Sequence, residues 1–124
     1  MPTPARTNLL QIAPGLRLNS GRGFAFGPGK AELLEHIAAT GSIREAASAM
    51  EMSYMRAWTI VRSLEKAFPE PLVIKTRGGS SGGGARVTET GLEVLRLYRE
   101  MEAYARKAIA VPAARLQSLL DGKA

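Results

Sequence analysis

Two serines, and three residues that follow one of them at helical spacing, are the parts of this 124-residue chain best suited to polyanion chemistry. Ser42 and Ser53 each stand at the predicted start of a helix, where free backbone N–H groups and the helix dipole attract phosphate. Arg56, Thr59 and Arg62 follow Ser53 along the polar side of that helix. Arginine binds a guanine edge or a phosphate, and threonine contacts the methyl group of thymine. These residues predict a helix that lies in the major groove of DNA.

The distribution of charge agrees with a polyanion-facing surface. The formal net charge is +6. Residues 1–30 contain four basic residues and no acid, and residues 71–88 contain three basic residues and no acid, whereas residues 31–70 contain four bases and six acids. Basic charge confined to particular segments indicates contact with nucleic acid. Solubility alone gives the same pattern equally well, so charge by itself leaves both interpretations open.

Periodicity and helix-capping signals divide the chain into short elements. Ser42 followed by Glu45 forms a capping box, and Pro69 is expected to stop the helix that begins at Ser53. The small residues Ala46 and Ala47 permit close helix packing. The predicted elements are strands 16–19 and 24–26, helices 29–39, 43–50 and 53–68, strands 72–76 and 86–88, a helix 89–111 ended by Pro112, and a short helical piece 113–120.

Helices followed by a hairpin with a glycine-rich tip are typical of a winged helix-turn-helix. The predicted fold class is therefore mostly α with a β-hairpin wing (α+β), continued by a long C-terminal dimerisation helix. Three regions are expected: an N-terminal arm at 1–15, the DNA-binding domain at 16–88, and the dimerisation helix and tail at 89–124.

The residues that enzymes and metal sites need are scarce. The chain has no cysteine, and its one histidine, His36, has no second histidine to complete a metal site. The segment 27–31 lacks both the first glycine and the Ser or Thr of a phosphate-binding loop. No apolar run approaches a membrane span. The expectation is a cytoplasmic protein that is not an enzyme and uses no cofactor or metal.

Three runs in the middle of the chain closely resemble the N-terminal domain of the ModE family of molybdate-responsive regulators. They are residues 41–47, 52–58 and 70–91, within a likeness that covers about 16–110. The first run is also shared with LysR-type regulators. The resemblance implies a winged helix, a homodimer, double-stranded DNA as partner and regulation of transcription, with molybdenum-related genes as the candidate targets. One departure is that Ser80 and Ser81 interrupt the glycine run of the wing.

The resemblance, together with the polar residues already named, gives the full set of candidate DNA-binding positions. Residues 53–59 correspond to the recognition helix and residues 78–86 to the wing. The set comprises Ser42, Arg44, Ser53, Tyr54, Met55, Arg56, Thr59, Arg62, Lys75, Arg77, Gly79, Gly83 and Arg86. Tyr54 and Trp58 are interpreted as packing residues more readily than as base-stacking ones.

Full-length ModE proteins carry paired molybdate-binding modules after the DNA-binding domain. Only 12 residues follow Pro112 here, too few for an oxyanion-binding barrel. Molybdate binding is therefore not expected from this chain alone.

The last long helix carries a heptad-like stripe that is suited to a second copy of the chain. Its members are Val94, Tyr98, Met101, Ala105 and Ala108. Leu92 and Leu95 lie beside it and are expected to anchor the helix on its own domain. The alternative is that the stripe packs inside the monomer. Two other functions also remain open: a non-specific architectural DNA-binding protein, or a winged-helix protein–protein interaction module.

Overall fold

The structure is a computed structural model that describes residues 9–21, 23–76 and 84–123. Within these residues the elements are strands β1 (Leu18–Asn19) and β2 (Ala25–Phe26), helices α1 (Pro28–Thr40), α2 (Ile43–Ala49) and α3 (Tyr54–Glu65), strands β3 (Val73–Thr76) and β4 (Gly84–Val87), and helices α4 (Glu89–Ala108) and α5 (Ala110–Leu120). The predicted α+β winged helix is confirmed. The chain divides into two units, Gly15–Arg99 in one and Met1–Pro14 with Glu100–Ala124 in the other.

Only two residues, Gly41 and Ser42, separate α1 from α2, and both are helix caps. Gly41 adopts the left-handed conformation (φ +70°), and its N–H donates to the carbonyl of Ile37 over 2.8 Å. The hydroxyl of Ser42 accepts from the N–H of Glu45 over 3.1 Å. The second half of the predicted capping box differs, because the N–H of Ser42 donates to the Thr40 hydroxyl and not to Glu45. The resulting tight turn lets α2 begin directly after α1.

The core of the Gly15–Arg99 unit forms where α1, α2, α3 and the wing meet. Ala46 of α2 and Ala57 of α3 are both fully buried, so these two helices approach closely as their small side chains predict. The ring of Tyr98 in α4 packs edge-on against Phe26 at 5.1 Å. The largest fully buried side chains are Leu33, Leu34, Ile37, Val61, Leu64, Leu72 and Tyr98.

The prediction that α3 runs to Phe68 is wrong, since the helix ends at Glu65. The N–H of Lys66 makes the last bond to a carbonyl four residues earlier, and that of Ala67 reaches only three residues back. A residue before proline is disfavoured in the α conformation. Phe68 therefore leaves the helix before Pro69, and its ring packs edge-on against Phe24 at 5.3 Å.

Strands β3 and β4 pair in antiparallel register, from Val73 opposite Val87 to Thr76 opposite Gly84. We call this hairpin the wing; its tip, residues 77–83, lies outside the described residues. Buried Thr88 connects the wing to α4, because its hydroxyl donates to the carbonyl of Pro71 and accepts from the N–H of Gly91. The other predicted hairpin is also confirmed, as the two-residue pair β1–β2.

The prediction that the last long helix runs to Val111 and is ended by Pro112 is wrong. Helix α4 ends at Ala108, and Pro112 lies in the first turn of α5. Proline has no N–H to offer the carbonyl of Ala108, four residues earlier, and its ring crowds that carbonyl. The helical run therefore breaks at Ile109, and the second helix begins three residues before the predicted Ala113.

The unit formed by the two ends of the chain has its own polar contacts. The N–H of Leu10 donates to Oε1 of Gln117 over 2.7 Å, and Nε of Arg106 donates to the carbonyl of Ile12 over 3.4 Å. These bonds attach the described part of the predicted N-terminal arm to α5 and to the end of α4. Across the part of the chain that the structure describes, no helix is both long and apolar enough to cross a membrane.

Candidate nucleic-acid interface

Helix α3 has one buried face and one polar face that is open to solvent. Ala57, Val61 and Leu64 fix the buried face in the core. The hydroxyl of Ser53 accepts from the N–H of Arg56 over 3.1 Å, so the predicted N-cap is present. Met55 on the outward face is 70% exposed. A helix held in this way presents its first turns to a binding partner.

The outward face carries short side chains whose hydroxyl groups bond to the helix itself. The hydroxyl of Thr59 donates to the carbonyl of Met55 over 2.9 Å, and that of Ser63 donates to the carbonyl of Ile60 over 2.7 Å. The methyl group of Thr59 remains as its free contact group. This face therefore offers apolar contact at its middle, with Arg62 adding charge one turn further on.

Most of the predicted DNA-binding residues lie at the surface. Ser42 and Tyr54 are half-buried, while Arg44, Ser53, Met55, Arg56, Thr59, Arg62, Lys75 and Arg86 are exposed. Arg77, Gly79 and Gly83 lie outside the described residues, so those three candidates stay predictions.

Tyr54 and Trp58 form a bonded aromatic pair on the side of α3 that faces the wing. Nε1 of Trp58 donates to the Tyr54 hydroxyl over 2.6 Å, and the two rings meet edge-on with their centroids 6.4 Å apart. Both side chains are half-buried. The pair is one helical turn apart, so α3 fixes the two rings relative to each other.

Three cations from three elements lie over these two rings. The guanidinium of Arg44 in α2 is 4.6 Å from the centroid of Tyr54. The ammonium of Lys75 in β3 is 4.3 Å from the centroid of Trp58, and the guanidinium of Arg62 is 5.8 Å from it. Cations within about 6 Å of an aromatic face are attracted to it. We call these five residues the aromatic–cation cluster.

The interpretation of Tyr54 and Trp58 as packing residues is confirmed, because both pack against the core. The sequence prediction named the three cations but did not include their contacts with these two rings. The sequence does contain a signal for these contacts. Trp58 follows Tyr54 by one helical turn at the edge of a helix face, which leaves ring surface exposed to a basic neighbour. Lys75 of β3 lies over Trp58, and Arg44 of α2 lies over Tyr54, so both contacts depend on tertiary structure.

Arg56 lies on the other flank of α3, away from the aromatic–cation cluster. It lines a cavity together with Arg17 of the hairpin β1–β2 and Lys30 of α1. Among the described residues, no ion pair neutralises Arg44, Arg56, Arg62 or Lys75. The two flanks of α3 are therefore both positively charged.

Helix α4 departs from the predicted dimer stripe at Tyr98, which is 1% exposed. Its hydroxyl donates to the carbonyl of Leu16 over 2.8 Å, so the side chain is committed to its own domain. Including Tyr98 in the dimer stripe was wrong, because a 4-3 spacing alone does not tell which face a core already covers. Val94 is half-buried against the same core, whereas Met101 and Ala108 are exposed and Ala105 is half-buried.

The two leucines expected to anchor α4 differ in how far they are buried. Leu95 is buried as predicted, but Leu92 is 48% exposed, so its assignment as an anchor was wrong. Four other exposed apolar residues of α4 fall on a neighbouring stripe at 4-3-4 spacing. That stripe consists of Leu97, Met101, Tyr104 and Ala108.

The helix-turn-helix and the wing match one family of known proteins. Residues 29–92 match the bacterial regulatory helix-turn-helix protein, lysR family. The match begins in α1, includes α2, α3 and the wing, and ends in the first turn of α4. The chain belongs to the lysR family of bacterial regulatory helix-turn-helix proteins.

Relatives of this lysR-family helix-turn-helix chain agree with the resemblance found in the sequence. A molybdenum transport protein ModE from Azotobacter vinelandii is 33% identical over 107 residues, covering 86% of this chain and 40% of that protein. A molybdenum-pterin-binding protein MopA from Rhodobacter capsulatus is 40% identical over 85 residues, covering 68% and 32%. The DNA-binding transcriptional dual regulator ModE of Escherichia coli (strain K12) is 35% identical over 84 residues, covering 68% and 32%.

These relatives confirm that the chain resembles the N-terminal region of ModE proteins. The chain spans between about a third and two fifths of the length of the relatives just described. Two of these relatives have names that refer to molybdenum, and the third is named a DNA-binding transcriptional regulator. Those names belong to the longer proteins.

The described residues do not bring histidine and acidic side chains together as a metal site does. Among the described residues, no group of three or more His, Asp or Glu side chains is placed to hold a metal ion. Nε2 of His36 lies 3.7 Å from a carboxylate oxygen of Glu32, one turn earlier on α1. This pair is a contact within the surface of a single helix.

Proposed function

We propose that this chain is a sequence-specific DNA-binding regulator of transcription that acts as a homodimer in the cytoplasm, with molybdenum-related genes as its targets. The observation that carries the proposal is the capped helix α3. Its outward face is unobstructed, and cations held on Tyr54 and Trp58 border it.

The dimensions of α3 suit a DNA groove. Twelve residues give a helix about 18 Å long, and the major groove, about 12 Å wide, admits a helix with its side chains. In this arrangement Met55 and Thr59 meet base edges, with the methyl of Thr59 available to thymine. Arg62 reaches a base or phosphate at the groove edge, and Lys75 and Arg86 of the wing meet the backbone.

The aromatic–cation cluster gives these contacts a defined geometry. A long basic side chain loses rotamer entropy when it binds DNA. Stacking on Tyr54 or Trp58 restricts Arg44, Arg62 and Lys75 before DNA arrives, so less entropy is lost on binding. Preorganised cations beside the outward face favour specific docking over loose electrostatic association.

The molybdenum assignment rests on likeness to the ModE relatives. The similarity includes the outward face of α3 and the start of the wing, which are the parts that meet bases and backbone in the proposed complex. Similar reading elements favour related operators, so genes for molybdenum uptake and use are the first candidates.

Homodimerisation is proposed through the stripe Leu97, Met101, Tyr104 and Ala108 of α4. These side chains are exposed in one protomer, and their 4-3-4 spacing suits pairing with the same helix of a second copy. A two-fold pair of helix-turn-helix domains presents two recognition helices to half-sites about 34 Å apart. The operator is accordingly expected to be an inverted repeat.

The decisive experiment selects bound sequences from a random duplex library and measures affinity for the selected duplex and a scrambled one. We expect the selected duplex to bind at least 1,000-fold more tightly. Arg62→Ala is expected to cost about 1–3 kcal/mol on the selected duplex if Arg62 contacts a base. Ser48→Ala, a change at an exposed residue of α2, serves as the matched control with unchanged affinity.

Two other results would each point to a different function. Equal affinity for selected and scrambled duplexes with a steep salt dependence would indicate an architectural DNA-binding protein. Absence of salt-dependent DNA binding would indicate a protein–protein interaction module. Mapping of bound sites in cells grown with and without molybdate then tests the molybdenum assignment, which fails if no bound site lies near a molybdenum-related gene.

A further inference from the structure

A cavity of about 320 Å³ opens beside α3, between the hairpin β1–β2 and the start of α1. Three basic side chains from three elements line it: Arg17 from the hairpin, Lys30 from α1 and Arg56 from α3. The side chain of Asn19 adds an amide. No carboxylate is among the lining residues.

The basic groups are held at the cavity wall by contacts within their own domain. Nζ of Lys30 donates to the carbonyl of Ala25 over 2.7 Å. A Cβ atom built at buried Gly27 would lie 3.5 Å from Nη1 of Arg17, so the guanidinium rests against the start of α1. Among the described residues, no carboxylate forms an ion pair with Arg17, Lys30 or Arg56.

Three uncompensated cations around one cavity repel each other, and a bound anion would relieve that repulsion. The charge pattern of the sequence points the same way, since residues 1–30 contain bases and no acid. Arginine forms paired hydrogen bonds with phosphate oxygens, and lysine binds them as a point charge. The chemistry of the wall therefore matches a phosphate group.

We propose that this cavity binds a phosphate of the DNA backbone and that the hairpin β1–β2 acts as a second backbone-contacting element. The inference rests on the proposed DNA-binding function. Helix α3 would then meet the duplex between two basic flanks. Lys75 and the wing lie on one side, and Arg17, Lys30 and Arg56 lie on the other.

The position of Arg56 favours DNA over a free anion as the source of the phosphate. Arg56 belongs both to the cavity wall and to the first turn of the helix that faces the groove. A duplex seated on α3 brings its backbone past this turn. The cavity is also an open cleft at the protein surface, which suits a phosphate that is part of a long polymer.

The test is Arg17→Ala, measured on a random-sequence duplex pool and on the selected duplex over a range of salt concentrations. Loss of one phosphate contact is expected to lower the slope of log affinity against log salt by about 0.9 and to weaken binding about tenfold at 0.1 M salt. Both duplexes should be affected equally, because a backbone contact carries no sequence information. Arg17→Lys is expected to retain most of the affinity.

Arg96→Ala is the matched control, since it removes the same charge from the same unit without touching the cavity. Arg96 donates two hydrogen bonds to Glu93 and thereby lowers the pKa of that carboxyl. This variant should keep the wild-type salt slope. An equal loss of slope in Arg96→Ala and Arg17→Ala would mean that only total charge matters, and would overturn the inference.

The failure of this inference can be distinguished from failure of the proposed function. If wild-type protein prefers its selected duplex and Arg17→Ala binds with unchanged affinity and slope, only the phosphate site fails. If wild-type protein binds no duplex, the proposed function fails and this inference fails with it. A further arm titrates inorganic phosphate and follows the amide resonances of Gly29 and Lys30. Saturable shifts alongside unchanged DNA binding by Arg17→Ala would assign the cavity to a free oxyanion and overturn the DNA assignment.

Discussion

The ammonium group of Lys75 in the wing lies 4.3 Å from the centre of the Trp58 ring in α3. The indole N–H of Trp58 donates to the Tyr54 hydroxyl, and the ring of Tyr54 in turn lies beneath the guanidinium of Arg44. One indole thus links the wing to the helix that faces the groove. A change at Trp58 is transmitted to contacts on three elements.

Replacing Trp58 by Ala is expected to weaken binding to the selected duplex about tenfold while leaving the chain folded. The side chain is half-buried at the edge of the core, and its contacts with Lys75 and Arg62 contribute about 0.5–1 kcal/mol each. Two such contacts together are close to the 1.4 kcal/mol that corresponds to a tenfold change. Fluorescence anisotropy with labelled duplex measures the affinity, and circular dichroism checks the fold.

Trp58→Phe separates the ring face from the hydrogen bond. A phenyl ring keeps a surface for the two cations but cannot donate to Tyr54, so this variant should lose less affinity than Trp58→Ala. Equal affinity of Trp58→Ala and wild type, with both folded, would mean that the cations bind DNA without help from the indole.

The sequence predicts most of the helix-turn-helix because its signals are local. Gly41, Ser42 and Ser53 each mark a helix end through bonds to residues close by in the sequence, and each cap is present in the structure. The two helix ends that were predicted directly before a proline are wrong, and α3 and α4 each end three residues earlier than predicted. Pro112 acts on the carbonyl four residues before it, and Pro69 disfavours the helical conformation of Phe68.

Local sequence patterns cannot predict which face of α4 is buried. The stripe through Tyr98 and the stripe through Tyr104 both have the spacing of a paired helix. Only the position of Leu16 and Phe26, more than seventy residues earlier in the chain, decides that Tyr98 is covered. The cavity beside α3 could not be predicted for the same reason, since Arg17, Lys30 and Arg56 come together only in the folded domain.

Gly91→Ala is expected to lower the free energy of unfolding by about 1–3 kcal/mol. A Cβ atom at this position would lie 2.5 Å from the carbonyl oxygen of Leu72 and 2.6 Å from Cγ1 of Val87, where the start of α4 approaches the wing. Backbone at that distance has to move. Chemical denaturation measures the change.

Gly29→Ala is the matched control for that substitution. It also adds one methyl group to a helical glycine, but nothing lies within 4 Å of the new atom. Because alanine favours the helix more than glycine does, this variant should be as stable as wild type or slightly more so. Equal stability of the two variants would show that the wing and α4 are less closely packed than the distances indicate.

Ser42→Ala is expected to lower the free energy of unfolding by about 1 kcal/mol. It removes the hydroxyl that accepts from the N–H of Glu45 and leaves the first turn of α2 without its cap. Ser42→Asp retains an acceptor and should restore most of the loss. Ser48→Ala, at an exposed position on the same helix, should leave thermal unfolding unchanged. A loss in Ser48→Ala as large as that in Ser42→Ala would assign the effect to helix composition and not to the cap.

Two tyrosines on α4 distinguish the two possible dimer stripes. Tyr104 is 64% exposed and belongs to the stripe Leu97, Met101, Tyr104 and Ala108, whereas Tyr98 is buried in its own domain. Tyr104→Arg places a charge on that stripe, and in a two-fold dimer it meets its own copy nearby. The substitution preserves the helix, since Glu100 lies one turn earlier and pairs with the new guanidinium. We expect Tyr104→Arg to sediment as a folded monomer at tens of micromolar, and the wild type to sediment as a dimer at the same concentration.

Tyr98→Phe provides the contrasting outcome. It removes the hydrogen bond to the carbonyl of Leu16 and should lower the free energy of unfolding by about 1 kcal/mol, with the dimer intact. The opposite pattern, a dimeric Tyr104→Arg and a folded but monomeric Tyr98→Phe, would contradict dimerisation through the stripe Leu97, Met101, Tyr104 and Ala108. A wild-type monomer at these concentrations would contradict dimerisation through either face. The two recognition helices would then have to reach adjacent half-sites independently, and the dependence of DNA binding on protein concentration would lose the cooperativity expected of a dimer.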